Sequence, residues 1–254
     1  MKDQIIGTTL PVLEVQLENG ESVVAVSGEL SWMTQSIQLE TTTGMGGGGG
    51  GLGSLFKRVA GGGSLFMTRY TAQGSPGMVA FATKMPGHIL PVGVAPGSDY
   101  FIHRHGFLCG TEGVTVGVGF QQSLGAGIFG GDGFLLQKLS GSGQAWIELD
   151  GEVIPYTLQA GETLRVHPGH VGMFDSTVNF GITRIQGIRN MLFGGDGIFL
   201  AALTGPGRVW LQSLPLSNLA HALAPYLGGG AGDNAASAGA GAVVGSVLRG
   251  LMER

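Results

Sequence analysis

The side chains best suited to chemistry in this sequence are two histidines and a carboxylate. His103 and His105 are separated by one residue, so on an extended strand both project from the same face. Glu112 follows a short way along the chain. Two imidazoles and a carboxylate suit a divalent metal, provided that they converge within about 2.0–2.2 Å of one ion. His167 and His170 form a second pair around Pro168 and Gly169.

The run from Gly97 through His103, His105, Glu112 and Gly119 resembles the first metal motif of cupins. The segment from Gly161 to His170 loosely resembles the second. Both depart from the pattern. Six residues separate His105 from Glu112, more than the motif allows. Asn179 lies too far along to complete the second motif. A related stretch near the N-terminus, Val23–Ser27, carries no histidine. The histidines are therefore expected on solvated faces or as turn caps, with no metal and no cofactor. A cupin-like metal-dependent enzyme using His103, His105 and Glu112 stands as the alternative.

Other signals for chemistry are thinner. Cys109 is the single cysteine, so no intramolecular disulfide can form. It has no cationic neighbour within two residues and reads as a buried structural thiol. The glycines from Gly46 to Gly51 are not followed by a lysine and a hydroxyl residue, which excludes a phosphate-binding P-loop. Asp132 and Asp196 recur in Gly-Gly-Asp-Gly runs. One carboxylate per copy is too few for calcium. An aspartate that bonds the backbone just ahead of it suits a turn. Trp146 and Trp210 recur in step and read as core or inter-sheet anchors, with Trp32 outside that pattern.

These residues are carried by a repeat. Gly130-Gly131-Asp132-Gly133 recurs as Gly194-Gly195-Asp196-Gly197, and Gly141, Gly143 and Trp146 recur as Gly205, Gly207 and Trp210. A third copy starts at Gly61, where Gly74-Ser75-Pro76-Gly77 takes the turn and Ala80 replaces the tryptophan. Val12–Met33, Ile89–Gly110 and Val153–Phe174 are related in the same way. Gly20, Gly97 and Gly161 mark one shared turn, and Gly28, Gly106 and Gly169 a second. The reading is three copies of a β-unit of about 65 residues, arranged as if circularly permuted. Leu135–Leu139 and Ala145–Leu149 are expected to form a hairpin around a glycine turn. Thr163–His167 alternates, with Leu164 and Val166 on one face and Arg165 and His167 on the other.

Two helices are expected near the end. Ser217 caps the first, from Asn218 to about Ala224, which stops before Pro225. Leu219 and Leu223 share its face, next to Leu216. The second runs from about Ala240 to Met252, with Val243, Val244, Val247, Leu248 and Leu251 on one face.

Composition sets the outer limits. Of 254 residues, 50 are glycine and 12% are charged, while 43% are hydrophobic. Mean hydropathy is +0.28. The net charge of −4 and the lack of a basic excess argue against a nucleic-acid partner. The apolar content argues against disorder. No apolar run reaches the roughly 18 residues that a membrane span needs, and no signal peptide opens the chain. Glycine is concentrated in two tracts, Gly44–Gly53 and Gly228–Gly245. Both are expected to lie outside the repeat.

Several motifs in order resemble a known family. They are Phe56-Lys57-Arg58, Ser64-Leu65-Phe66, Pro86-Gly87-His88-Ile89, the two Gly-Gly-Asp-Gly runs with their tryptophans, and the ending Pro215–Leu227. Together they are similar to bacterial relatives of the mitochondrial biogenesis factor called altered inheritance of mitochondria 24. The likeness runs from about residue 5 to residue 227. It implies a β-fold like that of the tryptophan-attenuation protein, built by duplication, and no established enzymatic activity. Mitochondrial members are linked to inner-membrane organisation, but no Arg-rich transit peptide is present to carry that setting over.

The expected architecture is all-β: a pseudo-threefold duplicated sandwich or barrel with short C-terminal helices. Residues 1–227 form the β domain, with the glycine-rich insert 44–53, and residues 228–254 form a Gly/Ala-rich tail. The expected function is non-enzymatic: a cytoplasmic, self-assembling scaffold that contacts an unidentified protein partner. Gly46, Gly47, Gly48 and Gly49 are the candidate assembly elements, together with Val243, Val244, Val247, Leu248 and Leu251. A peripheral membrane scaffold anchored by the C-terminal helix is a further alternative.

Overall fold

The structure, a computed structural model, describes residues 1–43, 66–122, 134–185 and 198–227. Strand β1 (Lys2–Ile6) opens the chain. The first unit follows as β2 (Val12–Leu17), β3 (Ser22–Val26), β4 (Trp32–Met33), β5 (Ile37–Thr43), β6 (Phe66–Ala72) and β7 (Gly77–Ala82). The second is β8 (Gly87–Val94), β9 (Tyr100–His103), β10 (Phe107–Gly110), β11 (Val114–Gln122), β12 (Phe134–Gly141) and β13 (Gly143–Asp150). The third is β14 (Val153–Leu158), β15 (Thr163–Val166), β16 (Val171–Asp175), β17 (Asn179–Ile185), β18 (Ile198–Thr204) and β19 (Gly207–Gln212). Each unit is contiguous in the chain.

All three units pair their strands alike, and every pair is antiparallel. The first and third strands flank the sixth, as in β2-β7-β4, β8-β13-β10 and β14-β19-β16. The second and fourth flank the fifth, as in β3-β6-β5, β9-β12-β11 and β15-β18-β17. Two junctions join the units: β3 pairs with β10, and β9 pairs with β16. Four sheets result, in the orders β1-β2-β7-β4, β5-β6-β3-β10-β13-β8, β11-β12-β9-β16-β19-β14 and β15-β18-β17.

Three apolar clusters fill the spaces between successive sheets. One joins Leu13, Val15 and Phe81 of the first sheet to Val23, Ala25 and Trp146 of the second. The next joins Val24, Ile147 and Leu149 of the second sheet to Ile102, Leu139 and Met173 of the third. The last joins Leu136, Phe174 and Val209 of the third to Val166, Ala201 and Leu203 of the fourth. Val23 and Ala25 face one cluster and Val24 the other, as a period of two requires. The six-stranded sheets are therefore covered on both faces, and β13 is buried along most of its length.

The expected hairpins are corners. β12 and β13 lie in different sheets and do not pair, and the same holds for β6 with β7 and β18 with β19. At the middle corner Gly141 has φ +100°, and a Cβ there would come within 2.2 Å of the Gly113 carbonyl oxygen. The chain can turn out of one sheet and into the next there only without a side chain. Glycine between two apolar strands reads the same whether they pair or part.

The shared turn is as expected. Gly20, Gly97 and Gly161 have φ +88°, +83° and +80°. Each is the third residue of a matching turn, closed by backbone bonds from Glu21 to Glu18, Ser98 to Ala95 and Glu162 to Gln159. Leu164 is half-buried, Val166 buried and Arg165 exposed, also as expected.

Trp32 does not stand outside the repeat. It faces Ala80 in the ladder, as Cys109 faces Trp146 and Met173 faces Trp210. The glycine tract 44–53 and the two Gly-Gly-Asp-Gly runs fall in the connection from fourth to fifth strand of their units. The first tract therefore occupies a repeated connection rather than a place outside the repeat. These connections, with Asp132, Asp196 and Gly46 to Gly49, lie outside the described residues. So does the tail with Val243, Val244, Val247, Leu248 and Leu251.

The described chain ends in helix α1 (Leu216–Leu227). It is longer than expected. Pro215 accepts the first helical bonds, from the Asn218 and Leu219 amides, so Ser217 lies inside the first turn. Pro225 does not stop it. Proline removes one donor and biases the residue before it, and the last turn tolerates both.

Candidate functional site

The six-residue strand run Ala145–Asp150 places Trp146, Glu148 and Asp150 on one face and Ile147 and Leu149 on the other. Because both faces of that sheet are covered, the two carboxylates are buried, at 3% and 8% exposure. They mark a polar seam between the first and second units. Lys84, in the link between those units, lies 3.8 Å from the Glu148 carboxylate and pairs with Glu29. Its backbone N–H also donates to Glu148, at 3.3 Å. Burial raises the Glu148 acid to about 7, with Lys84 opposing. Burial likewise raises Asp150 to about 6.

His103 belongs to this seam. Its Nε2 lies 2.8 Å from the Glu148 carbonyl oxygen. A carbonyl only accepts, so Nε2 carries the proton. Burial pushes the ring down to about 4, which keeps it neutral at pH 7. The ring lies against the backbone of Gly106, where a Cβ would come within 2.8 Å of it. That contact requires glycine at this turn. His105 is exposed on the same turn.

The third unit solves the same problem with a different histidine. His170 Nδ1 donates to the Gln212 carbonyl, 2.8 Å away. The Asn218 amide of α1 lies 3.4 Å from its Nε2. Gln212 in turn donates to Gly169 and accepts from the Asp150 backbone N–H. The histidines thus satisfy backbone carbonyls of the sixth strands, β13 and β19.

Glu112 is elsewhere. Its carboxylate accepts from Ser22 Oγ at 2.6 Å and lies 3.0 Å from Arg69 Nε. The structure therefore does not bring His103, His105 and Glu112 together. His103 ends β9 and His105 lies in the turn after it, whereas Glu112 lies in the turn beyond β10. Among the described residues no three His, Cys, Asp or Glu side chains form a group that could hold a metal. Cys109 is fully buried, and burial pushes its thiol well up.

The two repeated tryptophans differ in cover. Trp146 is fully buried, and its indole N–H donates to Asp3 at 3.1 Å. Trp210 is half-buried, with the Arg208 guanidinium 5.0 Å from its ring centre. Arg208 is held by Asp175 through both carboxylate oxygens at 3.1 Å. Both indoles are engaged within the fold.

Glu148, Asp150, Lys84 and Glu29 are absent from the sequence-derived candidates. The available signal was a pair of carboxylates at alternate positions of an otherwise apolar strand.

Comparison with known proteins gives one family. The model of mitochondrial biogenesis AIM24 matches residues 4–214. An uncharacterised protein of Streptococcus pyogenes serotype M6 is 28% identical over 222 residues, spanning 85% of this chain and 87% of that protein. The crystal structure of a Streptococcus pyogenes protein matches with a TM-score of 0.70 at 24% identity, covering 89% of this chain and 99% of that one. This last likeness bears on the fold. Among the described residues no helix is long and apolar enough to cross a membrane.

Proposed function

We propose a non-enzymatic, self-assembling structural role for this chain, which belongs to the mitochondrial biogenesis AIM24 family. It works through contacts with copies of itself and with other proteins, without a nucleic-acid ligand. The observation that carries this reading is that the row of sheets is open at both ends. β4 closes the first sheet and β15 the last, and among the described residues neither pairs on its outer side. Unpaired strand edges are a template for further chains unless something covers them.

The use of the polar side chains supports a structural role. His103 and His170 bond to backbone carbonyls, and Glu112 binds Ser22 and Arg69. The buried carboxylates hold a seam between units. The acidic balance, 17 acidic against 13 basic side chains, weighs against a polyanionic ligand.

Native mass spectrometry and sedimentation across a range of concentrations test this proposal. The expected result is a mass that rises with concentration above the 26.0 kDa of one chain. A single-chain mass at every concentration would overturn it.

A further inference from the structure

The two internal junctions define a rule of assembly. At the first, Cys109 and Gly110 of β10 face Ala25 and Val24 of β3. At the second, Met173 and Phe174 of β16 face Ile102 and Phe101 of β9. At each, the third strand of one unit pairs with the second strand of the unit before. Both junction strands are buried: Cys109 is 0% exposed, and Met173 and Phe174 are 1%. Each also sends side chains into the preceding core. Leu108, Cys109 and Trp146 enter the cluster of the first unit, and Met173 and Trp210 enter that of the second.

The ends of the chain carry the two halves of a third such junction. β4 is the third strand of the first unit, with Trp32 46% and Met33 37% exposed. β15 is the second strand of the last unit. Both six-stranded sheets run fourth, fifth, second, third, sixth, first in unit positions. The last sheet supplies the first half of that order, as β17-β18-β15. The first sheet supplies the second half, as β4-β7-β2, with β1 added at its far edge. Joined across β15 and β4, they make the same six-stranded sheet again.

We infer that two copies of this chain dock head to tail, through an antiparallel ladder between β15 of one copy and β4 of the next. The register follows from the two internal junctions. Trp32 faces Val166, as Cys109 faces Ala25 and Met173 faces Ile102. Met33 faces Arg165. The side chains agree with this placement. Val166 belongs to the third cluster, and cross-strand partners share a face. Trp32 of the second copy thus enters the third cluster, as Met173 and Trp210 of the third unit enter the second. The first two clusters each take in residues of the unit that follows, whereas the third draws on the second and third units alone. Such a contact is heterologous, so it propagates into a closed ring or an open filament.

This inference rests on the self-assembly reading and specifies its surface. A chain carrying Met33→Cys is mixed with one carrying Arg165→Cys and oxidised. Facing residues in an antiparallel ladder lie about 4.5–5.5 Å apart, within reach of a disulfide. The expected result is a linked dimer from the mixture and none from either variant alone. In sedimentation, Met33→Arg sets like charges opposite Arg165 and weakens assembly roughly tenfold. Adding Arg165→Glu to Met33→Arg restores it. If the chain assembles but neither the link nor the charge effect occurs, the head-to-tail ladder is wrong while self-assembly stands. If the doubly substituted cysteine chain links to itself as a monomer, the ends close within one chain and the ladder between copies is overturned. A chain that stays single at every concentration overturns both.

Discussion

β10 and β16 hold the same place in their units as β4, yet the first two are interior and the third is at a surface. Local sequence does not account for this. Trp32-Met33 is at least as apolar as Cys109-Gly110. The difference is the neighbour: β10 and β16 each pair with a strand of the preceding unit, and among the described residues β4 pairs with β7 alone. The rung that these strands share with the sixth strand makes the same point. In the second and third units the tryptophan is on the sixth strand, opposite Cys109 or Met173. In the first it has moved across, and Trp32 lies opposite Ala80. The large side chain is kept on the rung, but on the strand that ends the row. Ala80 remains fully buried there.

The comparison breaks most readily at the interior end. Phe174 is buried and stacked 5.2 Å from Phe101 and 5.3 Å from Phe180. Phe174→Ala should cost about 3–5 kcal/mol in urea unfolding, from lost transfer energy and the cavity left behind. A loss comparable to an exposed substitution would mean that the second junction is not a packed core.

The seam at the first junction responds to pH. Glu148 titrates near 7 in the folded chain, against a usual 4.5. The folded state therefore binds its proton more tightly. Its contribution is full below pH 4.5 and is lost as pH rises through about 7. Glu148→Gln should remove that loss, leaving the variant about 3 kcal/mol more stable than the parent above neutrality and about equal in acid. Parallel unfolding curves against pH check this, and an unchanged pH slope would acquit Glu148. Arg208→Gln takes the guanidinium off Trp210 and Asp175. Its side chain is 55% exposed, so the expected loss is about 1 kcal/mol or less, with a change in Trp210 fluorescence.

Trp32→Ala should have the smallest effect on one chain, within about 0.5 kcal/mol. Its effect should appear in assembly instead. If it destabilises a dilute, single chain as much as Phe174→Ala does, then β4 is already covered within the chain.

Part of this was legible in the residues. Gly20, Gly97 and Gly161 mark turns that need a left-handed residue, and their recurrence at matching positions of related segments exposes them. The matching of Ala80 with the tryptophans also holds in the ladder register. The corners were not legible. Gly141, Ser142 and Gly143 between two apolar strands suit a hairpin equally well, and which sheet receives the second strand depends on partners far away in sequence. The histidines were visible as a group but not as a seam. Their acceptors, the Glu148 and Gln212 carbonyls, lie more than 40 residues away.

By itself the sequence determined the shared glycine turns and the alternation of strands such as β15, because these depend on residues within a few positions of one another. The tertiary structure decided which strands meet. It set the corners and put Glu148 and Asp150 between two covered faces. It drew His103 away from Glu112 and, among the described residues, left β4 and β15 paired on one side only. The physical reason is that backbone pairing carries no side-chain signature of its own. A strand's neighbour is chosen by what else remains unpaired when the sheets come together.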